Sequence, residues 1–189
     1  MLFEEIYAHM ENKDIKAKAL DLGFSAAEII GCDKIEFSFE FRKYCEENLC
    51  GKYGANYSCP PDCPTPEELS DNVKNFKEAL VLQSAWEIKD FSDRERLDVA
   101  KMWHNRCMLE LVKDMRAKEY RCLMAGASYC NLCKSCKKLK NEPCANPESR
   151  FSCLSAYCIN VRALADSCLM NYEYKNGILF LFGCIFFDK

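Results

Sequence analysis

The placement of the cysteines constrains this chain more than any other sequence feature. Cysteine occurs 15 times in 189 residues, against two histidines, and eight of the 15 lie in two windows of 19 and 15 residues. The odd count, and a beginning of the chain without a basic stretch followed by an apolar one, argue against a secreted scaffold held by disulfides. Because thiols that cluster in a reducing compartment are more often metal ligands, we expect a cytoplasmic, metal-binding protein.

The second of the two windows has the more regular spacing. Two gaps of two residues let consecutive thiolates wrap around one cluster, and a fourth cysteine follows after seven residues. Zinc sites more often use two CxxC pairs that lie a dozen or more residues apart. The spacing therefore favours a 4Fe-4S cluster over zinc, although it is not the bacterial ferredoxin pattern. The four candidate ligands are Cys130, Cys133, Cys136 and Cys144.

The first window has less regular gaps of four, eight and three residues. Gly51 and Gly54 permit positive φ and let backbone N–H groups approach sulfur closely. Pro60 and Pro61 stiffen the segment that follows. Four thiolates suffice for a second iron–sulfur cluster or a zinc ion, and a partial site with two structural thiols fits the spacing equally well. The candidate ligands are Cys45, Cys50, Cys59 and Cys63.

Most of the other cysteines occur singly in apolar helix or strand patterns, which predicts that they pack in the core. His9 and His104 have no partner motif, and we interpret both as structural. The chain carries none of the P-loop, GxGxxG, GxSxG or HExxH motifs, so no reaction is predicted and an enzymatic role stays open. The predicted core cysteines are Cys32, Cys107, Cys122, Cys168 and Cys184.

The remainder of the sequence predicts one α+β domain over residues 1–189. Its two cysteine-rich loops, 45–63 and 126–150, interrupt helices and strands that form no βαβ repeat. We therefore expect a small mixed or antiparallel sheet covered by helices. Strands are predicted at 27–30, 34–37, 79–88, 122–125 and 178–187. Helices are predicted at 1–23, 38–47, 93–118 and 161–168, and from Thr65 onward.

Capping signals mark where several of these helices begin. The segment 1–23 is predicted to contain two helices, because Asp14 is a candidate N-cap in its middle. Its first helix has a stripe of apolar residues at positions 2, 3, 6, 7 and 10. Thr65 and Ser92 each stand three residues before a glutamate, so each is predicted to open a helix with a capping box. Ser38 is the predicted cap of the helix 38–47, and Asn160 is the predicted cap of the last helix.

The strand patterns indicate how the sheet is built. Strands 27–30 and 34–37 are separated by three residues that include a glycine, which predicts a hairpin. The strand 178–187 is apolar on both faces, as a strand at the centre of a sheet would be. Because strand 79–88 follows the first cysteine loop and strand 122–125 precedes the second, we expect both loops at the same end of the domain.

The charge pattern argues against two classes of partner. A net charge of −3 is unsuited to nucleic-acid binding. The longest uncharged apolar run, 177–187, has 11 residues, whereas a membrane-spanning helix needs about 20. Four lysines in the second window form a solvated charged face, or they offset the negative charge of a cluster or dock an acidic redox partner. They are Lys134, Lys137, Lys138 and Lys140.

The two windows belong to a longer combination of motifs. The first set is Cys45, then Cys50-Gly51-x-Tyr53-Gly54-x-Asn56-x-x-Cys59-Pro60-Pro61, then Glu67-Glu68. The second set is Ala125-Gly126-x-x-x-Cys130-x-x-Cys133-x-x-Cys136, then Pro143-Cys144-x-x-Pro147-Glu148, then Ile159-Asn160-Val161. In this combination, residues 24–187 resemble a widespread prokaryotic family of predicted metal-binding proteins of unknown function, the domain of unknown function 2284.

The resemblance implies metal binding, with an iron–sulfur cluster favoured, but brings no established reaction. Phe151 and Cys158 stand where the family usually has a proline and a glycine. The ligands that the resemblance implies are Cys45, Cys50 and Cys59 in the first window and Cys130, Cys133, Cys136 and Cys144 in the second.

The leading hypothesis is therefore an iron–sulfur protein with an electron-transfer or redox-accessory role in anaerobic metabolism, acting with a redox partner protein. One alternative is a zinc-stabilised structural or interaction module, in which the cysteine sites hold loops. A second alternative is an iron–sulfur enzyme whose cluster has three cysteine ligands and one open iron.

Overall fold

A computed structural model of the chain describes the backbone of residues 2–189 and the side chains from residue 12 onward. The strands are β1 (Ala26–Gly31), β2 (Glu78–Glu87), β3 (Arg121–Gly126), β4 (Ser152–Cys153) and β5 (Ile178–Asp188). The helices are α1 (Leu2–Asp21), α2 (Arg42–Glu46), α3 (Pro66–Lys74), α4 (Arg94–Ala117) and α5 (Val161–Ser167). Short 3-10 turns cover Cys32–Lys34, Phe39–Phe41, Lys137–Lys140 and Pro147–Ser149.

The five strands form one mixed sheet in the order β1-β2-β5-β3-β4. All neighbours are antiparallel except β3 and β4, which are parallel. With helices packed on this sheet, the structure confirms the predicted α+β class. None of the described helices is both long enough and apolar enough to cross a lipid bilayer.

The central strand β5 explains the continuous apolar run near the end of the chain. It pairs with β2 along one edge and with β3 along the other, and its residues 181–187 are buried. Phe182 and Phe186 pack into one core cluster, with residues of α3 and α5. Ile185 and Phe187 pack into the other, with residues of α1 and α4. The prediction of a central strand here is confirmed, because both faces of β5 are buried.

Two of the five capping predictions are confirmed in full. The Thr65 side chain accepts a hydrogen bond from the Glu68 backbone N–H, and Glu68 bonds back to the Thr65 N–H, so α3 begins with a capping box. Asn160 caps α5 by accepting from the Ala163 N–H. The N-cap of α4 is Asp93, one residue later than the predicted Ser92, whose hydroxyl instead donates to Asp90.

The predicted break at Asp14 is wrong, because α1 is one continuous helix. Ile15 and Ala19 are buried against the sheet, and their packing stabilises the helix without a cap at Asp14. The helix ends as predicted before Gly23, whose φ of +99° suits a helix C-terminal turn. The apolar stripe at positions 2, 3, 6, 7 and 10, and the side chain of His9, lie outside the described side chains.

The predicted hairpin between 27–30 and 34–37 is also wrong. All of β1 pairs with β2 instead, and Phe37 makes only an isolated bridge to Ile159. The 3-10 turn at Cys32–Lys34 carries the chain away from the sheet edge. β1 therefore pairs with the longer strand β2 and not with the segment that follows it in the sequence. Similarly, the helix predicted at 38–47 is divided into the turn Phe39–Phe41 and α2, and Ser38 makes no capping hydrogen bond.

The cysteines predicted to pack in the core lie there, and His104, interpreted as structural, is buried as well. All five predicted core cysteines are buried, and the His104 side chain is fully buried between α4 and the sheet. Its Nδ1 shares a 2.7 Å hydrogen bond with the Ser84 hydroxyl. Its Nε2 has no hydrogen-bond partner among the described residues. Burial lowers the pKa of His104 to about 3, so the imidazole is neutral in the folded protein.

This buried imidazole predicts that the protein loses stability below neutral pH. In the unfolded chain, histidine titrates near 6.5, so the unfolded state takes up a proton that the folded state excludes. The stability that the folded protein gains from keeping His104 neutral is complete above pH 6.5. It falls by about 1.4 kcal/mol per pH unit as the pH drops from 6.5 toward 3. We expect His104→Asn to remove this slope, measured by denaturant unfolding at pH 7.5 and 5.5 on samples in the same metal state. Equal slopes in the two proteins would contradict the assignment.

Candidate metal centres

The structure brings together all four cysteines predicted in the second window. They line one small cavity of about 20 Å³, together with Asn146, whose side-chain amide donates to the Cys133 sulfur at 3.3 Å. The loop that carries them follows β3 and contains 3-10 turns but no α-helix or strand before β4. Each of the four thiols is half-buried and free. They are Cys130, Cys133, Cys136 and Cys144.

A larger cavity, of about 260 Å³, lies beside the first cysteine loop. Three cysteines of the first window line it: Cys45 in α2, Cys50 in the exposed turn, and Cys59 before the two prolines. The fourth lining cysteine is Cys153 in β4. Of the described cysteines in the first window, Cys63 alone lies outside this lining.

Cys63 has a different environment. It is buried, and its sulfur accepts a hydrogen bond from Nη1 of Arg42 at 3.6 Å. The same guanidinium donates to the Ala156 carbonyl oxygen at 3.0 Å and to the Pro64 carbonyl oxygen at 2.9 Å. Arg42 therefore joins the end of the first cysteine window to the segment that follows β4.

The thiols around the larger cavity are close enough to influence each other electrostatically. Burial is the main cause that raises the pKa of Cys45 to about 12, and the charge that Cys153 carries as a thiolate is the next. The same two causes raise the pKa of Cys59 to about 12. These thiols are protonated unless a cation supplies compensating charge, and metal binding here would release protons.

Sequence reasoning did not select Cys153. It lies outside both windows, and no regular spacing links it to the first. One feature of the sequence could have indicated a ligand role for Cys153. It lies in a short segment after the second window and not in an apolar periodic pattern, unlike the cysteines of the core. Its position comes from tertiary structure, because Cys153 pairs with Gly126 where β4 meets β3.

Asn105 of α4 is a second residue that the sequence did not reveal. It is completely buried, and its Oδ1 accepts a 3.0 Å hydrogen bond from the Ala127 N–H. Its Nδ2 donates to the Ser128 hydroxyl at 3.1 Å. Asn105 therefore anchors the chain as it leaves β3 toward the second cysteine loop.

The same junction requires a glycine at position 126. A Cβ atom there would lie 2.7 Å from Oδ1 of Asn105 and 2.7 Å from the Phe151 ring. Phe151 is buried, and it fills the space that this glycine leaves. Farther along, Cys158 has a φ of 57°, a conformation that favours glycine, which gives a physical reason for the glycine that the family usually has there.

The two cysteine loops contact each other directly, which confirms that they lie at the same end of the protein. The Ser58 hydroxyl accepts from the Cys130 N–H at 3.0 Å and lies 3.8 Å from the Cys59 sulfur. The Asn56 side chain donates to the Cys130 carbonyl oxygen at 2.9 Å. Ser58 thus touches a candidate ligand residue of each loop.

The four lysines of the second window fall into two kinds. Lys137 forms an ion pair with Glu142, and Lys138 forms one with Asp62 of the first loop. Lys134 and Lys140 are exposed, and neither has an ion pair among the described residues. Two of the lysines therefore join parts of the loops, and two remain on a solvated face.

No arrangement suited to a single ion is present in the described part of the chain. From residue 12 onward, no three His, Cys, Asp or Glu side chains come together so that they could hold one metal ion. The donor set is nonetheless rich in sulfur, since two groups of four free thiols each surround a cavity.

Two groups of four thiols, on touching loops of one α+β structure, define a cysteine-rich protein of the metal-binding class. A family model described as predicted metal-binding protein (DUF2284) matches residues 28–187, so the chain belongs to that family. Neither the search of curated proteins nor the search of solved structures gave a match. The family supports metal binding in general and leaves the kind of metal centre open.

The anchoring role of Asn105 can be tested by truncation. We expect Asn105→Ala to lower the free energy of unfolding by about 1–3 kcal/mol, because the Ala127 N–H loses its acceptor and the Ser128 hydroxyl loses its donor. Hydrogen exchange at Ala127 should accelerate in the same variant. Arg106→Ala, at the exposed neighbouring position, is the control and should change stability by less than about 0.5 kcal/mol. Equal effects of the two substitutions would contradict this role.

Proposed function

We propose that this protein binds two iron–sulfur clusters, one at each cysteine loop, and exchanges single electrons with redox partner proteins. The observation that carries the proposal is the sorting of eight thiols into two groups of four, each around one cavity. Four thiolates are the usual ligand set of a 4Fe-4S or 2Fe-2S cluster. When bound, such a cluster supplies one-electron redox chemistry.

The spacing of the thiols supports a cluster over a single zinc ion. Tetrahedral zinc with Zn–S bonds of about 2.3 Å needs neighbouring sulfurs about 3.8 Å apart. Among the described side chains, no three His, Cys, Asp or Glu residues are arranged so that they could hold one metal ion. The cavity beside the first loop has a volume of about 260 Å³, which is more than a single ion needs. That volume leaves room for a polynuclear centre.

The second cavity is much smaller, at about 20 Å³, so its loop has to open around a cluster. The loop consists of turns and irregular backbone, and its thiols are half-buried, so this movement leaves the sheet intact. Binding at such a loop is coupled to its ordering. We therefore expect the second loop to be more protected from proteases in the loaded protein than in the metal-free protein.

The contacts between the loops support a role in electron transfer. Ser58 touches the Cys59 sulfur and the Cys130 backbone, so a short chain of contacts joins the two groups of thiols. An electron from a donor redox protein can enter at one centre and leave from the other to an acceptor protein. The exposed Lys134 and Lys140 offer a positive surface beside the second centre for an acidic partner.

Metal analysis of protein purified without oxygen tests the proposal. We expect iron and acid-labile sulfide in equal amounts, no stoichiometric zinc, and a brown colour that bleaches on reduction. Cys133→Ala should lose the iron of the second centre, because it removes one of four ligands. Cys168→Ala is the matched control, since it removes a buried core thiol and should keep the full iron content. A colourless protein with stoichiometric zinc would contradict the proposal and support the zinc-stabilised module.

A further inference from the structure

The first cysteine loop supplies three of the four thiols around the larger cavity, and β4 supplies the last one. We propose that Cys153, and not Cys63, is the fourth thiolate ligand of the metal centre at the first loop. This assignment rests on the proposed function, because it requires a centre with four thiolate ligands. It differs from the ligand set that the spacing of the first window suggests, which ends at Cys63.

The position of Cys153 is fixed by the sheet. Its backbone pairs with Gly126 in the parallel register of β3 and β4, and the Leu154 N–H donates to the Gly126 carbonyl oxygen at 3.1 Å. The Cys153 carbonyl oxygen in turn accepts from the Tyr157 N–H at 3.1 Å. A thiol on this backbone is held in place before a metal binds, whereas Cys50 lies on an exposed turn. The centre thus combines a ligand held by the sheet with one on an exposed turn.

The contacts of Cys63 give it a supporting role. Its sulfur faces Arg42, whose guanidinium is held by two backbone carbonyl oxygens. The positive charge of Arg42 also acts on Cys45, which lines the cavity. The Arg42–Cys63 pair therefore places a fixed cation next to the four-thiol group, where it offsets part of the negative charge of the thiolates.

Single alanine variants purified without oxygen test the assignment. Cys153→Ala should lose iron and acid-labile sulfide from the first centre and keep the second centre, which reports that the variant is folded. Cys63→Ala should keep the iron and acid-labile sulfide content of the wild type, because Arg42 is still held by two backbone carbonyl oxygens. Cys50→Ala, at an exposed position, should reproduce the loss seen in Cys153→Ala. If Cys153→Ala does not fold, Cys153→Ser keeps the side-chain size and should lose iron to a chelator faster than the wild type.

The outcomes separate the assignment from the proposed function. Wild-type iron content in Cys153→Ala, or a wild-type rate of iron loss from Cys153→Ser to a chelator, would overturn the assignment, and so would a loss in Cys63→Ala equal to that in Cys153→Ala. The proposed function fails on a different result, in which the wild-type protein holds no iron and sulfide even after anaerobic reconstitution. In that case the assignment falls as well, because the centre it completes does not exist.

Discussion

The short parallel pairing of β3 and β4 is the contact on which the rest of the site depends. It places Cys153 beside Gly126, at the point where the chain turns into the second cysteine loop. Without this pairing, the larger cavity would be lined by thiols of the first loop only. The two groups of cysteines would then not be connected through the β3–β4 end of the sheet. The absence of a side chain at position 126 allows the Phe151 ring and Asn105 to close over the junction. Close packing at one glycine thus connects the sheet to both loops.

The chain uses cysteine in two physically different ways. Core thiols such as Cys184 in β5 are fully buried among apolar side chains and behave as small hydrophobic residues. The thiols of the two loops other than Cys63 line cavities together with further thiols, and some of them lie near polar groups such as the Asn146 amide. Burial raises the pKa of Cys184 as it does that of Cys45, but Cys184 does not line a described cavity that contains other thiols. The surroundings, and not the residue type, separate packing thiols from candidate ligands.

Local signals in the sequence predicted much of this structure, and long-range contacts account for the remainder. The Thr65 capping box and the central strand β5 follow from neighbouring residues, so the sequence was sufficient for them. The regular spacing of the second window predicted four thiols that do meet at one cavity. The approach of Cys153 to the first loop and the anchoring by Asn105 depend on tertiary packing that no local pattern encodes. The prediction of a hairpin was wrong for the same reason, because β1 pairs with the distant and longer strand β2.

The most direct test of this account is anomalous X-ray scattering at the iron edge from crystals grown without oxygen. The account predicts two separate iron peaks. One should lie among the cysteines of the second window, and the other should be bounded by Cys45, Cys50, Cys59 and Cys153. Three results would contradict the account: anomalous signal at the zinc edge in place of iron, a single iron peak, or an iron peak next to Cys63 in place of Cys153.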